Sequence, residues 1–200
     1  LHNSAFGISS TGYAAPEAPF LGLYRIPGGE FYLNRCATLL NMYLMATYGE
    51  GQYVETYHNQ QIYLNHKLIE NKQLNLAEIQ DKSADFLIQF SGVNEAYSAH
   101  RLLLGPWSPQ IELARNSFHR KRSGDLLIDV LPGWTIVEEN ATDNRVVRHA
   151  NVPAPLIFLG GGVKPETIRV PVNITRVAPT LSSVMRIRAP NACTETPLNF

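Results

Sequence analysis

From Val152 to Pro179 the chain reads VPAPLIFLGGGVKPETIRVPVNITRVAP. Leu156, Ile157, Phe158 and Leu159 form an unbroken apolar run, the pattern of a strand buried on both faces. Gly160, Gly161 and Gly162 close the run and allow a sharp turn. A short second strand is expected next. Thr180 to Met185 then read as a helix, with Pro179 near its first turn. A buried strand followed by a turn and a helix points to layered α/β architecture.

The rest of the chain extends that pattern in both directions. Towards the N-terminus, Leu126 to Leu131 reads as a strand ended by Pro132-Gly133, and Trp134 to Glu138 as another strand or its continuation. Glu139 to Asn151 is polar and expected to be loop. Ser108 or Pro109 opens a helix through Phe118, and Val93 to Leu104 contains a strand. Asn75-Leu-Ala-Glu78 resembles a capping box, with Asn75 as N-cap and Glu78 at the third helical position. That helix is expected to reach about Phe90 and stop at Gly92, with Leu76, Ile79, Ala84, Leu87 and Ile88 as its apolar set. Gln52 to Asn65 is rich in strand formers, as one long strand or two short ones. Glu30 to Tyr48 reads as a helix carrying Leu33, Ala37, Leu40, Leu44 and Thr47 at helical spacing, with Gly49 as its stop. Ser4 to Ser9 reads as a short strand, and the tail after Met185 as loop. The expectation is an α/β fold with a mixed central sheet flanked by helices. It forms one domain over residues 1–200, with no repeat and no linker.

Composition limits the function classes. The hydrophobic fraction of 44% suffices for a core, and 17 basic residues balance 17 acidic ones. Such a balance gives no nucleic-acid footprint and no electrostatic membrane patch. No apolar run approaches the roughly 20 residues that span a bilayer. The chain starts at Leu1 without a signal segment, the expectation for a processed or excised piece. Cys36 and Cys193, far apart in sequence, read as free, buried thiols, with a disulfide as the alternative, and no Cys/His group has zinc-site spacing. Asn140-Ala-Thr142 and Asn173-Ile-Thr175 fit the glycosylation pattern but read as chance matches. No G-x-S-x-G or P-loop occurs, and Pro165 and Glu166 after the glycine triplet rule out a dinucleotide fingerprint.

Two groups of polar residues stand out. His58, Leu64 and His66 share a face if Gln52 to Asn65 is one strand, and histidines there either bind metal or substrate or meet solvent. His119-Arg-Lys-Arg122 is the basic cluster, suited to a phosphate or to the solvated end of a helix.

Three motifs in order resemble the C-terminal half of the alkaline phosphatase superfamily. Arg122-Ser-Gly-Asp-Leu-Leu-Ile-Asp-Val-Leu-Pro-Gly-Trp134 is similar to that family's R-x-G-D strand ending in P-G-[YW]. Pro155-Leu-Ile-Phe-Leu-Gly160 is similar to its V-P-L-[IL]-F-x-G strand. Thr175-Arg-Val-Ala-Pro-Thr-Leu181 is similar to its T-D-I-A-P-T helix start. The branch most resembled is the bacterial type I phosphodiesterase and nucleotide pyrophosphatase-like proteins found in Bacteroidetes.

The resemblance implies two-metal phosphoryl transfer, in which two zinc ions about 4 Å apart clamp the attacking and leaving oxygens. It places the Thr or Ser nucleophile and the early ligands in the N-terminal half, outside these residues. Three family ligand positions fall within them. Phe6-Gly-Ile-Ser-Ser-Thr-Gly-Tyr-Ala-Ala-Pro16 resembles the T-A-D-H-G strand end and the loop behind it, with Ser10 and Thr11 at the Asp and His positions. Val152-Pro-Ala-Pro-Leu156 resembles T-H-V-P-L, with Pro153 at the His position. His149, four residues upstream, is the candidate substitute ligand if the loop is rebuilt. Arg176 replaces the Asp of T-D-I-A-P-T, which is not a ligand.

By this resemblance the chain is an alkaline phosphatase-like domain without catalysis in this piece and without bound metal, since Ser10, Thr11 and Pro153 are poor zinc donors. The alternative is the C-terminal half of an active metal-dependent phosphodiesterase or phosphatase, with a site rebuilt from His149, His58 or Asp125. A chance match by an unrelated α/β binding module is the third reading. Implied partners are a phosphorylated small molecule or the N-terminal half of the family domain. An exported, periplasmic setting follows from the resemblance alone.

Overall fold

The computed structural model describes residues 4–10, 13–14, 18–137, 145–146, 148–149, 153–161 and 163–199. The chain falls into two compact units, one of Leu1–Tyr13 with His149–Phe200 and one of Ala14–Arg148. In chain order the strands are β1 (Ala5–Ser9), β2 (Tyr13–Ala14), β3 (Gly29–Tyr32), β4 (Val54–His58), β5 (Gln61–Leu64), β6 (Val93–Ser98), β7 (Leu126–Val130), β8 (Trp134–Val137), β9 (Arg145–Val146), β10 (Arg148–His149) and β11 (Leu156–Gly160). The α-helices are α1 (Ala18–Leu23), α2 (Leu33–Tyr48), α3 (His66–Asn71), α4 (Leu76–Leu87), α5 (Ala99–Leu104), α6 (Pro109–Ser117) and α7 (Val177–Val184).

The larger unit is built on a four-stranded sheet in the order β4-β5-β7-β6, each neighbour antiparallel to the next. A second ladder pairs β3 with β8 in parallel and β8 with β9 antiparallel. The mixed α/β architecture expected from the sequence is present, with its strands distributed over separate ladders.

Helix α2 buries Leu33, Cys36, Ala37, Leu40 and Leu44, one stripe at helical spacing. Each fully buried leucine contributes about 2 kcal/mol of apolar transfer energy. Asn41 fixes where this helix meets the sheet: its Oδ1 accepts the backbone N–H groups of Tyr53 at 2.8 Å and Val54 at 3.1 Å. Tyr53 is fully buried, and its hydroxyl donates to the carbonyls of Tyr48 and Gly49, each at 3.0 Å. Gly49 ends the helix with φ 88°, a conformation glycine adopts without strain. Helix α4 turns Ile79, Gln80, Ser83, Ala84 and Leu87 inward. Asn75 caps it as expected, accepting from Ala77 and Glu78 N–H. The Glu78 carboxylate pairs with Lys82 at 2.7 Å.

Several expected boundaries are corrected, and the open readings of Gln52 to Asn65 and Val93 to Leu104 are resolved. Glu30 to Tyr32 are strand, because they pair with β8, and the helix begins only at Leu33. Thr47 is exposed, and Cys36 takes its place in the buried stripe. Gln52 to Asn65 is a hairpin of β4 and β5, turned by Asn59 and Gln60 in left-handed conformations, φ 49° and 61°. Val93 to Leu104 divides into β6 and α5, where Ser98 caps the helix by accepting from Arg101 N–H. Ile88 is exposed beyond the end of α4. The stretch 139–151 contains the short strands β9 and β10 rather than loop alone.

The largest correction concerns Leu156 to Leu159. These residues form β11, but Ile157 is 46% and Leu159 53% exposed, while Leu156 and Phe158 on the opposite face are half-buried. In the smaller unit β11 pairs antiparallel with β1, and α7 covers the other face, with Leu181 near Gly7. The expected second strand after the glycines is absent; residues 163–173 run without regular structure. Helix α7 begins at Val177, with Pro179 inside its first turn, where a backbone N–H would have no helical partner and proline's lack of one costs nothing.

Candidate functional site

The β1–β11 register positions the residues singled out from the sequence. Ala5 lies opposite Gly160, Gly7 opposite Phe158, and Ser9 opposite Leu156. Strand β1 therefore leaves the ladder where β11 enters it. Ser10 follows β1 and Pro153 precedes β11 by three residues, so the two stand at one end of the ladder, both exposed. Thr11 lies outside the described residues. His149 falls in β10. A serine hydroxyl is a weak neutral donor and a proline side chain offers none, so Ser10 and Pro153 do not fit a zinc site.

In the same smaller unit, the Thr175–Leu181 motif carries a structural clamp. Thr180 is fully buried; its hydroxyl donates to the Arg176 carbonyl at 2.6 Å and accepts the Leu198 N–H at 2.9 Å. Arg176 donates from Nε to the Thr196 carbonyl at 2.9 Å and from Nη2 to the Pro197 carbonyl at 3.0 Å. The arginine that departs from the family pattern thus ties down the C-terminal tail. Asn173, in the second glycosylation match, caps the short turn before α7 by accepting from Thr175 N–H.

The larger unit holds a polar network that sequence reasoning missed. Asp125 is 8% exposed. It accepts from Leu64 N–H at 2.8 Å and Gln80 Nε2 at 2.6 Å, and its other contact is His66 Nε2 at 2.8 Å. Gln80 in turn accepts the His100 N–H at 3.1 Å. Asp81 meets His100 Nδ1 at 2.8 Å and accepts from the Ser98 hydroxyl at 2.5 Å. A hollow of about 250 Å³ lies beside Asp81, Ser98, His100 and Arg101. One signal was available: Gln80 is a polar residue on the buried stripe of α4, and such a residue needs a partner.

The histidines expected to share a strand face are separated. His58 ends β4, where its Nε2 lies 2.8 Å from Asn59 Nδ2, while His66 opens α3 and meets Asp125. His58 and Asp125 are not brought together as ligands, and among the described residues no three His, Cys, Asp or Glu side chains gather as a metal site. The basic cluster His119 to Arg122 lies in a surface turn, where His119 N–H donates to Ser123 Oγ at 2.9 Å. Cys36 and Cys193 are free; Cys36 is buried as expected, whereas Cys193 is only half-buried. Burial pushes the Cys36 thiol up to about 12.

No family model matches the chain. Its fold matches the crystal structure of the wild-type alkaline phosphatase PafA, with TM-score 0.77 and 24% identity over 97% of this chain and 37% of that one. In sequence it is 25% identical over 191 residues to the alkaline phosphatase PafA of Elizabethkingia meningoseptica, covering 92% of this chain and 34% of that protein. In sequence and in fold the chain is thus similar to alkaline phosphatases. A protein of Myroides odoratus named calcium-transporting ATPase is 27% identical over 211 residues, covering 98% of this chain and 36% of its own length. The alkaline phosphatase PhoV of Synechococcus elongatus is 25% identical over 136 residues, covering 66% of this chain and 24% of its own length. The chain therefore spans about a third or less of the curated relatives it matches. Among the described residues no helix is long and apolar enough to cross a membrane.

Proposed function

We propose that these 200 residues are part of a single alkaline phosphatase-like domain whose zinc-binding positions have been lost. The supporting observation is the ladder end. Ser10 and Pro153, far apart in sequence, are placed together by the β1–β11 register, and neither offers a carboxylate or imidazole. Thr11, beside Ser10 in sequence, adds only another hydroxyl. Without those donors the two-metal clamp for phosphoryl transfer is not built here, and no catalytic step is assigned to this chain. The site keeps the fold's framework and acts by binding a phosphorylated small molecule or by assembly with the rest of the fold. By analogy with the bacterial type I phosphodiesterase branch, the setting is periplasmic or exported.

The competing reading is a metal-dependent phosphodiesterase or phosphatase of which this is the C-terminal portion, with His149 as substitute ligand. It draws on the two relatives named as alkaline phosphatases. Turnover separates the two. The protein purified at its natural length and supplied with zinc is expected to hydrolyse neither p-nitrophenyl phosphate nor bis-p-nitrophenyl phosphate above background. Activity that follows the protein through purification and is abolished by chelation contradicts the proposal.

A further inference from the structure

We draw no further inference here: the strongest candidate, the hollow beside Asp81, Ser98, His100 and Arg101 in the larger unit, carries nothing, because both Asp81 oxygens are already engaged by Ser98 and His100 and the opposed charges of Asp81, Asp85 and Arg101 around it select no ligand of either sign.

Discussion

Ser9 lies directly opposite Leu156 across the β1–β11 ladder. Through that pairing residues 143 positions apart, Ser10 and Pro153, come to one end of a ribbon. In the resemblance to alkaline phosphatases both positions belong to metal ligands. Their convergence at one ladder end is what makes the proposed loss of donors a proposal about one site.

Restoring the donors should restore metal affinity. The variant Ser10→Asp/Thr11→His/Pro153→His is expected to bind zinc at least about tenfold more tightly than the natural sequence, the scale on which changes around a metal site act. Competition with a chromogenic chelator reads the affinity directly. No gain in a variant that keeps its natural circular dichroism spectrum argues that the three positions are not one metal site.

Asp125 should behave as a structural carboxylate. Asp125→Ala leaves the Leu64 N–H and the Gln80 amide without their acceptor inside the larger unit. Orphaning buried donors in this way costs about 3 kcal/mol. Urea unfolding followed by tryptophan fluorescence should show that loss as a lower midpoint. A midpoint within about 0.5 kcal/mol of the natural protein contradicts the assignment.

Gly160 closes β11 with φ 129°, and a Cβ there would lie 2.1 Å from the Ser4 carbonyl oxygen. Gly160→Ala therefore forces the strand ends apart and adds backbone strain, together costing about 2 kcal/mol or more. Hydrogen exchange should show the β1–β11 amides opening faster while α2 and α4 keep their protection. Unchanged exchange in the ladder contradicts the close approach.

Cys36 gives a pH signature. Its folded thiol is raised to about 12 from an ordinary value of 9.0. Below pH 9 both states hold the proton and nothing changes. Between 9 and about 12 the unfolded thiol ionises while the folded one does not, so stability falls as pH rises. At pH 10 the loss is about 1 kcal/mol. Cys36→Ala should flatten the fall of Tm between pH 9 and 10, and iodoacetamide at pH 8 should label Cys193 well before Cys36. Equal slopes, or equal labelling in the folded state, contradict the buried assignment.

Much of the fold was legible because its signals are local. The stripe Leu33, Ala37, Leu40 and Leu44 specifies a helix by period, and Asn75 announces the start of α4 by capping chemistry. The errors share a different cause. Residues 30 to 32 carry no signal that distinguishes a helix start from a strand; only the pairing of Phe31 with Ile136 decides it. The apolar run Leu156 to Leu159 predicts burial on both faces, yet burial depends on tertiary packing that no local run encodes, and Ile157 and Leu159 are exposed. At the ladder end, the substitutions were readable by resemblance, but only the register joined Ser10 to Pro153. The network around Asp125 joins residues from separate elements, and no sequence period connects Leu64, His66, Gln80 and Asp125.

The central claim is that the zinc positions are lost, and metal content tests it most directly. Elemental analysis of the protein at its natural length, produced with excess zinc and then freed of loosely bound metal, is predicted to give well under one zinc per chain. Two tightly held zinc ions per chain would contradict the account.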